Sequence, residues 1–376
     1  MERLGRWWPA RVLVAGLCAW LVVAAGCRQQ EPLRIGFFAA LSGRGADLGI
    51  GGRNGAMLAI EERNAAGGVK GRRVDLLVRD ATQDPETARQ RLSELLQQPV
   101  VAVIGPMVSS LAVVAAPLAD AAQIPLLSPT ATTAALTGLD DYFFRVISDT
   151  NVYATRNAHY LAQKLRYRRA VVIYDLANQA YTQSWLGHFR AEFGNWGGEM
   201  VAEAAFTSGG DVAFNPLVAG LLATHPDFIL IIANSIDAAQ ICQQIRKMSQ
   251  TLPIAMSEWG ATERFIELAG RAADQVYVAQ FLDRNDTSPR YQQFRQAYLQ
   301  RFGQEPGFAG VAGYDAALVL LAALERQGSG EALKSVLLKL GEVEGVQQRL
   351  RFDRFGDSNR DTYLFVIRDG HYQALE

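Results

Sequence analysis

The chain has 376 residues, 49% of them hydrophobic and 20% charged, with a formal net charge of −1 at pH 7. That length suits two domains with sizeable cores, and the even charge balance offers no basic excess to hold nucleic acid. Of the three cysteines only Cys242 lies beyond residue 27, which excludes an internal disulfide framework and reads most simply as a small buried hydrophobe.

Arg3, Arg6 and Arg11 precede an apolar run of 14 residues, Val12–Ala25. Such a run is short for a membrane span and suits the core of a signal peptide. It ends Ala24-Ala25-Gly26-Cys27, which resembles a lipobox. The resemblance implies that residues 1–26 are removed, that Cys27 is lipidated, and that residues 27–32 form a linker. An ordinary signal cleaved near Gly26, with Cys27 incidental, is the alternative. Arg28 stands where an aspartate would favour inner-membrane retention, so nothing opposes outer-membrane sorting.

From residue 33 onward, strands and helices alternate. Arg34–Ala40, Val74–Arg79, Val100–Gly105 and Ile124–Ser128 are short apolar runs separated by the helical patterns Arg53–Asn64, Glu86–Gln97 and Leu111–Ala122. This is the βαβ rhythm of a parallel sheet covered on both faces. The rhythm repeats with strands Ala170–Asp175, Met200–Ala205, Phe228–Ala233 and Pro253–Ser257, and helices Tyr181–Phe193, Pro216–Ala223 and Ala238–Met248. The expectation is an α/β fold of two doubly wound, four-strand parallel-sheet lobes, joined near Arg145–Asp149.

The segment Glu61–Pro85 is the most informative. Its helix ends at Gly67-Gly68, where glycine takes the left-handed conformation at low cost. Asp84-Pro85 suits an N-cap followed by proline at the first helical position. The spacing N-x-x-G-G-x-x-G, then a strand and D-x-x-x-D-P, also resembles the start of the branched-chain amino-acid-binding family of bacterial solute receptors, the type I periplasmic binding proteins. The resemblance extends from about Leu33 to the C-terminus and implies lobes joined by three crossover segments. By that reading residues 33–147 and 282–359 form the N-terminal lobe, and 148–281 and 360–376 the C-terminal lobe. Val276–Phe281 sits at the boundary: as an extra element, with Pro289–Phe302, Tyr314–Arg326 and Gln348–Phe352, it returns to the first lobe, whereas the boundary at 281 leaves it in the second. Tyr363–Arg368 goes back to the second lobe.

Enzyme signatures are missing. The four histidines, His159, His188, His225 and His371, have no metal-ligand spacing to one another or to a cysteine. There is no nucleophile elbow and no phosphate loop. The stretch Ser42–Gly49 spaces its glycines as G-x-G-x-x-x-G, one residue off the dinucleotide fingerprint. No cofactor and no metal is expected.

A binding reading rests on strand ends, where ligands sit in open α/β sheets and helix N-termini present free amides. Pro106–Ser110 follows one strand and Pro129–Thr133 another, both rich in hydroxyls. The same residues serve equally as helix caps. By the family resemblance, Ser109, Thr130 (through its backbone) and Thr132 would grip a ligand α-carboxylate, and Leu48 would close over it. In the second lobe Tyr181 matches a family tyrosine across a loop two residues longer than usual. Ser235 lies where branched-chain receptors often carry tyrosine. Ser257-Glu258-Trp259-Gly260 falls where the family places a glutamate for the ligand ammonium, with strict alignment putting Trp259 there and Glu258 one residue earlier. Glu258 in the cleft would mean an amino-acid ligand; Trp259 there would offer an aromatic wall or cation–π face instead. Asp315, just after Gly313, would stand in a first helical turn and complement the helix dipole.

The expectation is therefore a lipid-anchored extracytoplasmic receptor without a catalytic step. It would capture a small carboxylate-bearing ligand, an amino acid before others, by hinge closure and deliver it to an ABC permease with its ATPase. A sensor of the same fold, or an envelope scaffold with a degenerate cleft, are the alternatives.

Overall fold

The computed structural model describes residues 31–375; Cys27 and the proposed leader lie outside the described residues. A parallel sheet of order β2-β1-β3-β4-β5 is built from β1 (Leu33–Ala39), β2 (Val74–Asp80), β3 (Val100–Ile104), β4 (Leu126–Ser128) and β5 (Phe143–Arg145). A second sheet has the order β14-β13-β10-β9-β8-β6-β7. Its parallel strands are β6 (Arg169–Asp175), β7 (Glu199–Phe206), β8 (Phe228–Ile232), β9 (Ile254–Met256) and β10 (Val276–Gln280). β13 (Tyr363–Arg368) and β14 (His371–Ala374) add to it antiparallel. β11 (Val343–Glu344) and β12 (Arg349–Leu350) form a separate small hairpin. These are two α/β lobes, with five and seven strands rather than the expected four each.

One expectation is corrected outright. Val276–Phe281 does not return to the first lobe, because β10 pairs in parallel with β9 and antiparallel with β13 inside the second sheet. Its apolar run is read the same way in either lobe by composition, and only the pairing decides.

The helices are α1 (Ala46–Ala65), α2 (Pro85–Leu96), α3 (Ser109–Ala122), α4 (Thr150–His159), α5 (Gln179–Asn195) and α6 (Phe214–Leu222), then α7 (Ser235–Met248), α8 (Glu263–Ala269), α9 (Pro289–Phe302), α10 (Phe308–Arg326) and α11 (Leu333–Lys339). Asp84 caps α2 as expected, its carboxylate accepting from the Thr87 N–H at 2.8 Å. After α1 the Gly68 N–H bonds back to the Arg63 carbonyl at 2.9 Å, with both Gly67 and Gly68 at positive φ. α1 starts seven residues earlier than the pattern suggested, because its glycines are there for contact. A Cβ on Gly55 would collide with the Gly310 carbonyl of α10, and one on Gly313 with the Gly52 carbonyl of α1. The two helices thus approach backbone to backbone. α10 is, among the described residues, the one helix long and apolar enough to cross a membrane, yet it is mostly buried within the protein.

The chain crosses between the sheets after β5, after β10 and before β13. Arg360, on the third crossover, gathers the other two. Its Nε donates to the Val146 carbonyl at 2.5 Å, its backbone N–H donates to Ser148 Oγ at 2.8 Å, and its guanidinium lies 4.4 Å from the Phe281 ring centre. Arg360 Nη2 also pairs with Asp315 Oδ2 of α10 at 2.5 Å, both side chains being fully buried. Asp315 is therefore not a first-turn residue complementing the helix dipole. α10 begins at Phe308, which places Asp315 in the helix interior as the acidic partner of this hub.

Candidate functional site

The loops leaving β3, β4, β6 and β9 meet between the lobes. α3 opens at Ser109 directly beyond β3. The Ser109 hydroxyl oxygen accepts from the backbone N–H groups of Thr132 and Thr133, each at 3.2 Å, which ties the β4 loop to the β3 loop. Accepting both bonds leaves its O–H hydrogen for another partner. Thr130 Oγ1 donates to the Met107 carbonyl at 2.6 Å, so Thr130 has only its backbone to offer. Thr132 Oγ1 is buried without a hydrogen-bond partner.

From the second lobe, Asn178 and Tyr181 come off the end of β6. Asn178 Oδ1 accepts from the Ser110 N–H at 2.9 Å, and the Ala180 N–H reaches Ser110 Oγ at 3.3 Å, so this loop docks on the N-terminus of α3. Beyond β9 the residues Glu258–Gly260 form a single 3₁₀ turn. Glu258, 5% exposed, accepts from Trp185 Nε1 at 2.9 Å through Oε2. Its Oε1 and the Tyr181 hydroxyl are buried without a hydrogen-bond partner. The Trp259 ring stands edge-on to Tyr181, centres 5.6 Å apart and planes at 70°.

Leu48, Ser109, Thr130, Thr132, Tyr181, Glu258 and Trp259 all line one cavity at this junction. It is narrow, with a volume of about 20 Å³. Glu258 and Trp259 therefore do not exclude each other: adjacent on one turn, both reach the wall. Ser235 does not reach it. The Ser235 hydroxyl donates instead to Asp47 Oδ2 across the interlobe gap at 2.6 Å, and Thr262 Oγ1 donates to the same oxygen at 2.9 Å. Arg44 pairs with the buried Asp237 at 2.6 Å alongside. These contacts hold the lobes closed upon each other.

Several wall residues escaped sequence reasoning: Met107, Val108, Ile147, Asn178 and Phe308, with Trp185 behind Glu258. Trp185 had a signal, since it lies four residues after Tyr181 on one helix and so shares its face. It also begins a ladder with Phe189 and Phe193, stacked at 5.4 and 5.5 Å.

Burial dominates the electrostatics. It pushes the Glu258 carboxyl up to about 7, against the opposing pull of its own backbone, the nearby Tyr181 hydroxyl and the Trp185 indole. Burial and the neighbouring Glu258 charge push the Tyr181 hydroxyl well above its ordinary value. Two wider clefts, of about 510 and 470 Å³, lie nearby. Within them Arg284 is paired with Glu263 and Arg295 with Glu305. Of these three, only the smaller cavity combines both lobes with buried, unsatisfied polar atoms, and such atoms are costly unless a partner arrives. Among the described residues no group of three His, Cys, Asp or Glu side chains gathers to hold a metal.

The arrangement offers hydroxyl and amide groups on one wall, a carboxylate on the other, and apolar side chains between. The profile of the periplasmic binding protein family matches residues 32–371. An amino acid binding protein of Pseudomonas aeruginosa is 26% identical over 350 residues, 91% of this chain and 92% of its own length. The Leu/Ile/Val-binding protein of Escherichia coli K12 is 25% identical over 363 residues, 96% of either chain. Among solved structures, the branched-chain amino acid transporter substrate-binding protein LivJ of Streptococcus pneumoniae, in complex with isoleucine, superposes with a TM-score of 0.83 at 27% identity, covering 91% of this chain and 98% of its own.

Proposed function

The chain belongs to the periplasmic binding protein family, and we propose on that basis that it is an extracytoplasmic receptor for an α-amino acid, serving an ABC permease and its ATPase without a catalytic step. The observation that carries the reading is the pair of opposed walls. A ligand carboxylate would receive the free Ser109 O–H, Thr132 Oγ1 and backbone amides of the first lobe. A ligand ammonium would donate to Glu258 Oε1, with the Tyr181 hydroxyl beside it. Thr132 Oγ1, Glu258 Oε1 and the Tyr181 hydroxyl are buried without a hydrogen-bond partner, and an α-amino acid supplies the complementary donor and acceptors in one small molecule.

Two lobes joined at a hinge give the mechanism its second half. Ligand contacts made from both walls exist only in the closed form, so they shift the population toward it. The lipid on Cys27 would keep the receptor near its permease; several acyl chains anchor stably where one holds only marginally. Cys27→Ala would then release the protein from the membrane fraction.

A thermal-shift panel of amino acids, aliphatic and aromatic carboxylates and quaternary amines tests the reading. A ligand at about 100 times its dissociation constant stabilises a fold by about 2.7 kcal/mol. The expected result is a shift with amino acids that Ser109→Ala and Glu258→Gln each abolish. A shift only with carboxylates lacking an amino group would overturn the ammonium role of Glu258.

A further inference from the structure

The site described above is narrow, and the parts that bound it are held by direct contacts. Trp259, 7% exposed, forms one wall. The turn that carries it is held on both sides. Glu258, before it, is anchored by the Trp185 indole at 2.9 Å. Gly260, after it, is pressed so closely on the end of β8 that a Cβ would lie 2.7 Å from the Ala233 carbonyl and 3.2 Å from Met256 Sδ. The turn is closed by the Ala261 N–H on the Glu258 carbonyl at 3.0 Å. On its open side Trp259 meets Tyr181 edge-on, and Tyr181 is itself buried.

The gap between the walls is set by the lobes, and the lobes are in direct contact. Asp47 receives Ser235 and Thr262 at 2.6 and 2.9 Å, and Asn178 receives the Ser110 amide at 2.9 Å. A longer ligand would have to break these bonds to make room. The cavity volume, about 20 Å³, lies far below the roughly 300–1,000 Å³ typical of ligand pockets. That volume is the room of about one water.

We infer that this receptor selects α-amino acids with small side chains (hydrogen, methyl or hydroxymethyl) over branched-chain ones, and that Trp259 is the residue that sets the limit. The inference rests on reading the cavity as an amino-acid site. Trp259 fills the space that a branched side chain would need. Ser109 and Thr132 on one side and Glu258 on the other still span a carboxylate and an ammonium on adjacent atoms. A small ligand completes the closed form with the Asp47 contacts intact, whereas leucine or isoleucine would hold the lobes apart.

The test is calorimetric titration of the full-length chain in detergent with glycine, L-alanine, L-serine, L-leucine, L-isoleucine and L-phenylalanine. Wild type, Trp259→Ala and Trp259→Leu are compared, with melting temperatures recorded for each. The expected result is that wild type binds at least one of the three small amino acids about tenfold or more tightly than leucine and isoleucine, on the scale by which pockets discriminate methylene groups. Either Trp259 variant shifts that ratio toward the larger ligands by about the same factor. Wild type binding leucine or isoleucine as tightly as the small amino acids overturns the inference, and that comparison needs no variant to fold. A preference left unmoved in a folded variant overturns the assignment to Trp259. Silence toward all six, with a response to a carboxylate lacking an amino group, overturns the amino-acid reading beneath it.

Discussion

Glu258 carries two opposite pH dependences, one for folding and one for binding. Its folded value of about 7 lies above its ordinary 4.5. Below about 4.5 both folded and unfolded chains hold the proton, so nothing is lost. As pH rises through that window the unfolded chain ionises first, and stability falls until the folded carboxyl also ionises near 7. The full difference is about 3 kcal/mol at the usual 1.36 kcal/mol per unit. Glu258→Gln should remove it, so that without added ligand the variant melts higher than wild type at pH 8 and nearly level with it at pH 4; equal melting at pH 8 would refute the buried charge. Binding runs the other way. An ammonium needs the ionised carboxylate, so affinity should weaken by about tenfold per unit as pH drops from 7 toward 5, with a proton released on binding. The titratable groups facing Glu258 are Tyr181 and Tyr153, both held neutral by burial across this range. A flat binding profile in calorimetry would mean that Glu258 does not meet the ammonium.

At the scale of elements, the packing of α1 on α10 explains both a success and a failure of sequence reasoning. The cap at Asp84, the glycine stop after α1 and the buried Cys242 were legible because each is a local preference expressed within a few residues. The start of α1 was not, because Gly49, Gly51 and Gly52 read as a loop unless the partner helix is known. The same limit applies to Asp315, whose partner Arg360 is 45 residues away, and to Ser235, whose hydroxyl meets an aspartate from the other lobe. The Ser109 and Thr132 loops were legible as strand ends, but their meeting with Glu258 depends on closure that no local pattern encodes. The helix contact makes its own prediction. Gly313→Ala forces a methyl against the Gly52 carbonyl, and overpacking of this kind costs about 1–3 kcal/mol. Denaturant titration should show a lowered midpoint with an unchanged slope; an unchanged midpoint would show that the helices have slack.

For the whole molecule, the contacts across the gap decide how closed the lobes stand. Asp47→Ala removes two interlobe hydrogen bonds worth about 0.5–1.5 kcal/mol each. The variant should show a larger radius of gyration in small-angle scattering and weaker ligand binding by about tenfold, with unchanged melting of the separate cores. No change in either would mean that Ser235 and Thr262 contribute nothing to closure. Arg360 governs the crossovers. Arg360→Met leaves Asp315 as a buried charge without its partner, a loss of about 3–5 kcal/mol, visible as a drop in melting temperature that Asp315→Asn in the same chain should partly restore. Three covalent bridges could in principle flex independently, each contributing its own twist. Here a single guanidinium touches all of them, so the lobes share one pin, like a door on a single hinge pin rather than a curtain hung on three cords. If the lobes swing on ligand binding as proposed, that pin would confine them to one arc, and a contact formed in the cleft would be felt as torque at the buried guanidinium.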